Sequence, residues 1–198
     1  MKKVCGLFLA AALITSILGG CTQYKDGKPV EKKAEQTAAK PQEEKKKEEP
    51  KKELTLDEKI KQGVNKKLDK KTNMKKNRIV ELEVNDNLGT EDEGDKIILL
   101  TLAGDENLSS KMTIKGMLMD SNKAFQEVFK NNEASEVTVF WQFPLVDTYG
   151  KSKVENVIKI ALKRETFEKI DWKAFDYNNY KKIADQYWMH PVLKNEME

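Results

Sequence analysis

The most reactive side chains of this sequence are its two cysteines, Cys5 and Cys21, and both lie at the extreme amino terminus. A thiolate is a nucleophile and a soft metal ligand, but a disulfide framework needs cysteines spread through the folded unit, and residues 22–198 contain none. His190 is the only imidazole. Nucleophilic catalysis on a Ser–His pattern would need a partner that no spacing identifies. A zinc site needs several His, Cys or carboxylate ligands converging, and no such spacing occurs. Five acids, Asp86, Glu91, Asp92, Glu93 and Asp95, crowd one short stretch. Their order departs from the alternating acids of a calcium-binding EF-hand loop, so the stretch reads as a solvated turn. The sequence holds no Gly-rich phosphate loop and no Gly-x-Ser-x-Gly elbow. A pair of carboxylates brought together by folding, as in glycosidases, is the one catalytic class left open. The expectation is a non-catalytic domain with no metal and no cofactor.

The amino terminus explains where the cysteines belong. Lys2 and Lys3 form a basic start, and residues 4–18 are an apolar run. A transmembrane helix needs about 20 residues, so this run is short for a span and of the right length for a signal peptide. It ends in Leu18-Gly19-Gly20-Cys21. The motif resembles the lipobox of bacterial lipoproteins, with Leu three before the Cys and small residues between. The resemblance covers the first 21 residues only. It implies a diacylglyceryl group on the Cys21 sulfur and cleavage just before Cys21, which removes Cys5. The physical logic is an extended, unbulky segment offered to a membrane protease, with a thiol as the lipid acceptor. Two or three acyl chains hold a protein firmly, because each buried methylene adds about 0.8 kcal/mol. The lysine-rich style suits a Gram-positive source.

Residues 22–55 carry lysine and glutamate in blocks, with Pro29, Pro41 and Pro50 and a single aromatic, Tyr24. With little to bury, such a segment gains nothing that offsets the entropy of ordering. It reads as a spacer whose ends would lie about 30–35 Å apart. The division expected is therefore a signal peptide over 1–20, a lipidated cysteine and charged linker over 21–55, and one extracytoplasmic domain over 56–198. Basic and acidic residues nearly balance in that domain. The net charge of +3 thus gives no reason to expect a nucleic-acid partner.

Within the domain, Thr55 and Glu58 fit a capping box ahead of a helix with Leu56, Ile60, Val64 and Leu68 on one stripe. The other faces bear Lys59, Lys61, Lys66, Lys67, Lys70 and Lys71, followed by Lys75, Lys76 and Arg78. This is a solvated face or a patch for an anionic surface. Val80, Leu82 and Val84 alternate with Glu81 and Glu83 as a strand, and residues 96–103 make a second. Ser109 or Ser110 caps a long helix reaching about Asn131, with Ile114, Leu118, Ser121, Phe125, Val128 and Phe129 facing inward. Met112, Met117 and Met119 in the same helix read as core packing rather than an adaptable binding surface.

Val137, Val139, Trp141, Phe143 and Leu145 alternate with Thr138, Phe140 and Gln142 in a strand that Pro144 marks as an edge or a bulge. Asp147 to Lys151 is a turn with Gly150 available for positive φ. A return strand then places Ile158, Ile160 and Leu162 on one face. The tail reads as two helical pieces, one with Phe167 and Ile170, the other with Tyr180, Ile183, Ala184, Tyr187 and Trp188. Trp172, Phe175 and Tyr177 add to its aromatic content, either as a pin across the sheet or as an exposed grip.

These elements predict an α+β fold: one domain, a mainly antiparallel sheet of about four strands, and helices packed on it. The function expected is that of a lipid-anchored module on the outer side of the cell membrane. Acylated Cys21 holds the lipid, and the domain meets a cell-wall polymer or an envelope protein. A cell-envelope enzyme with carboxylates in its site, and a structural or mobile-element exclusion lipoprotein, are the alternatives.

Overall fold

A computed structural model describes residues 53–89 and 94–197 of the chain. The signal segment, Cys21, nearly all of the linker, and Glu91, Asp92 and Glu93 lie outside the described residues. No described helix is long and apolar enough to cross a membrane.

Helix α1, Leu56–Leu68, begins at a complete capping box. Thr55 Oγ1 accepts from the Glu58 amide, and the Glu58 carboxylate accepts from the Thr55 amide at 2.9 Å. Ile60, Val64 and Leu68 are buried and Leu56 packs beside them, each full burial contributing about 1.5–3 kcal/mol. Strands β1, Ile79–Asp86, and β2, Lys96–Ala103, form an antiparallel pair. Helix α2, Ser110–Val128, is capped by the Ser109 hydroxyl, which accepts from the Met112 amide at 3.3 Å. The two helices pack closely at Gly63, where a Cβ would collide with the Glu127 side chain.

Strands β3, Ala134–Val146, and β4, Ser152–Lys163, form a second hairpin. Its turn puts Gly150 at φ 78°, the left-handed conformation that glycine tolerates without penalty. Between the hairpins, α2 carries the chain back along the sheet, so β3 lies parallel to β2. Short helix α3, Arg164–Glu168, a 3-10 turn over Tyr177–Asn179 and helix α4, Tyr180–Ile183, lead to β5, Gln186–Met189. Helix α5, Pro191–Met197, closes the described chain. The sheet order is β1-β2-β3-β4-β5, with β2–β3 the parallel junction. The α+β class and the mainly antiparallel sheet are as expected, with five strands instead of about four.

Three expectations need correcting. Tyr187 and Trp188 are not helical. They form β5, because the aromatic tail docks against β4 and pairing there outweighs local helical spacing. Val80 is half-exposed, because β1 bulges there: Ile79 pairs with Leu102 and Glu81 with Thr101, leaving Val80 unpaired. Ile79 packs on the core in its place, and Leu82 and Val84 face inward as expected. Arg78 does not belong to the exposed basic face of α1, since it is 3% exposed.

Pro144 lies in an internal strand, yet β3 outruns β2 at Gln142, so the proline faces Val154 on one side and no described strand on the other. Its missing N–H therefore removes no ladder bond.

Candidate binding groove at the carboxyl-terminal edge

The aromatic tail divides its residues between two jobs. Phe125, Phe129, Phe167, Trp172, Phe175 and Tyr180 form a closed ring of neighbours. Centroids are 6.4 Å apart from Phe125 to Phe129, 4.3 Å from Phe129 to Phe167 and 5.0 Å from Phe167 to Trp172. The circuit continues 5.5 Å from Trp172 to Phe175, 5.1 Å to Tyr180 and 5.8 Å back to Phe125. Such offset and edge contacts add about 0.5–1.5 kcal/mol each beyond burial. Polar groups are satisfied within it: Trp172 Nε1 donates to the Phe167 carbonyl at 3.2 Å, and the Tyr180 hydroxyl donates to Asn122 Oδ1 at 2.7 Å. Arg164 lies over the Phe129 ring at 5.1 Å and donates to the Asn131 and Ala134 carbonyls. This ring pins the tail to α2.

The second job falls to β5. Tyr187 opposes Ile160 and Met189 opposes Ile158, so both look toward the helix-covered face. Trp188 opposes Lys159 on the other face and is 44% exposed. Lys159 donates to Gln186 Oε1 at 2.7 Å and lies 5.7 Å from the Phe140 ring centroid. Beside β5 lies a groove of about 620 Å³. It is lined by Tyr187, Trp188 and Met189 of β5, by Leu118 of α2, by Asn178 and Lys181, and by Lys194 and Met197 of α5. Burial pushes the Tyr187 phenol above its ordinary pKa. Lys181 and Lys194 are the only charged side chains among the described residues lining the groove. The groove can take an apolar segment with negative charge at its margins.

The other sequence candidates lie elsewhere. Met117 is buried as core packing requires, whereas Met112 and Met119 are about half-exposed on α2, so the core reading of the three methionines is corrected for those two. His190 sits 5.9 Å from Trp188 in edge geometry, with Nε2 3.7 Å from Glu155. Lys153, bonded to Glu155 at 2.8 Å, holds that carboxylate below its ordinary range. Asp86 pairs with Lys96, and Asn87 donates to Asp95 at 3.0 Å. No group of three His, Cys, Asp or Glu arranged for a metal occurs among the described residues.

Sequence reading missed a buried latch that borders a polar cleft of about 580 Å³. Arg78 Nε donates to the Leu68 carbonyl at 3.0 Å, Nη1 to the Ala103 carbonyl at 2.8 Å and Nη2 to Asp105 Oδ2 at 2.6 Å. Asn73 completes it: its amide donates to Asp105 Oδ1 at 2.7 Å, and its side-chain oxygen accepts from the Glu106 amide at 3.0 Å. Beside the latch, Asp69 ends α1 at φ 63°, ψ 152°, a region essentially reserved for glycine. The only sequence signal was an arginine at the mouth of a strand. No family model matches the chain, and neither does any curated protein or solved structure.

Proposed function

We propose that this chain is a membrane-anchored extracytoplasmic lipoprotein whose folded unit is a non-catalytic binding module, with the β5 groove as its site. The anchor rests on Leu18-Gly19-Gly20-Cys21, and the site rests on one observation: the groove itself, with its apolar lining and two lysines. Its described lining offers no carboxylate, thiol or imidazole to carry a reaction, which favours capture over turnover. A tether raises the local concentration of module and partner, so a weak contact suffices at the envelope.

The test compares two tryptophans. Trp172 belongs to the ring that pins the tail, so Trp172→Ala should cost about 3–5 kcal/mol of stability. Trp188 is half-exposed at the groove, so Trp188→Ala should cost about 1 kcal/mol or less yet weaken capture of an envelope component several-fold. Capture by the full chain is read by pull-down from envelope extract, and stability by thermal melts. Undiminished capture by Trp188→Ala, or turnover of an envelope substrate by the purified chain, would overturn the reading.

A further inference from the structure

We infer that the occupant of the groove is an extended, acidic peptide segment that adds a strand to the free edge of β5. The inference deepens the binding-module reading and rests on it. Among the described residues, strand β5 ends the sheet and pairs with β4 alone. In an antiparallel ladder, alternate residues exchange both backbone bonds with their neighbour, and the ones between aim theirs outward. The phase here is set by the His190 amide, which donates to the Val157 carbonyl at 2.8 Å while Met189 stands opposite Ile158. Trp188 therefore bonds inward to Lys159, and the N–H and C=O groups of Tyr187 and Met189 point away from β4 at the edge of the sheet; both residues also line the groove. No backbone bond from another described element reaches them.

That row of alternating donors and acceptors selects the class of partner. A peptide backbone matches both kinds of group, whereas a polyphosphate or teichoic-type polymer accepts hydrogen bonds well and matches the donors alone. The lining side chains supply the rest of the selectivity. Leu118, Met189 and Met197 offer apolar contact with methionine's adaptability, and Lys181 and Lys194 stand at the margins with no acid beside them in the described lining. The charges also disfavour a second copy pairing β5 to β5 about a two-fold axis, since four lysines would then converge. A four-residue edge spans about 13 Å, so about four peptide residues pair along it and a hexapeptide overhangs by one at each end.

The experiment titrates the full chain in detergent with two blocked hexapeptides, one of alternating Glu and Val, the other with Lys in place of Glu. Tryptophan fluorescence reports binding, and amide hydrogen exchange reports the edge. The acidic peptide should bind at least tenfold tighter than the basic one, weaken as salt rises, and slow exchange at Tyr187 and Met189. N-methylation of alternate peptide amides should abolish binding, and the double variant K181E/K194E should reverse the charge preference without moving the melting transition. Equal binding of both peptides, or unslowed exchange at Tyr187 and Met189, overturns the inference. If polyphosphate binds and the peptides do not, or if the chain self-associates through β5 in sedimentation, the peptide is wrong and the groove stands as the site. If no probe and no envelope extract disturbs Trp188, both readings fall.

Discussion

Trp141 Nε1 donates to Ser121 Oγ at 2.8 Å, and neither residue has any exposed surface. Ser121 in turn donates to the Met117 carbonyl one turn earlier in α2, at 2.8 Å. The serine thus satisfies the largest side chain of the core while spending its own proton inside the helix, and it tethers α2 to the centre of β3. No buried side-chain nitrogen or oxygen among the described residues lacks a partner. Ser121→Ala should therefore orphan the indole and cost about 1–3 kcal/mol, read as a lower denaturation midpoint in urea with an unchanged slope. A loss near zero would mean that the indole finds another acceptor.

The Arg78 latch and the strained Asp69 beside it predict opposite responses to substitution. Asp105→Ala leaves a guanidinium that is 3% exposed without its carboxylate, and should cost about 3–5 kcal/mol. Asp69→Gly should do the opposite, because glycine takes φ 63° freely and releases strain of about 1–3 kcal/mol, less its own entropic cost of about 0.5–1 kcal/mol. Urea titration of both variants checks the pair. A destabilised Asp69→Gly would show that the aspartate side chain contributes more than its backbone costs.

Burial pushes the phenols of Tyr180 and Tyr187 above their ordinary pKa. The folded chain then holds these protons to a higher pH than the unfolded chain does, so the unfolded state loses protons first. Their contribution is fully present below about pH 10, the ordinary tyrosine value, and is lost as pH rises beyond it. Thermal melts from pH 8 to 11.5 should show stability falling above pH 10, and Tyr187→Phe should flatten part of that slope. An unchanged slope in Tyr187→Phe would count against a buried phenol in the groove lining.

The anchor is tested at Cys21. Cys21→Ser should abolish incorporation of labelled fatty acid, leave the precursor uncleaved by the lipoprotein peptidase, and retain the signal segment. Metabolic labelling with membrane fractionation measures all three. Label incorporated by the serine variant at the level of the parent chain would remove the lipobox interpretation.

Local chemistry was legible wherever one short segment decides its own conformation. The Thr55–Glu58 capping box, the Ser109 cap, the inward stripe of α2 from Ile114 to Phe129 and the positive φ of Gly150 all depend on neighbours within a few residues. Alternation along β3 and β4 also announced an α+β domain. What the tertiary structure decided involves partners far apart in the chain. The spacing of Tyr180, Ile183, Tyr187 and Trp188 suits a helix, yet pairing with Ile160 and Lys159 makes the last two a strand that lines a groove. Arg78 looked like one more surface cation until Leu68, Ala103 and Asp105, from 10 to 27 residues away, surrounded it. Periodicity records which side of an element is apolar, but not which distant element comes to cover it. Every group that defines the groove and the latch was placed by that second, long-range choice.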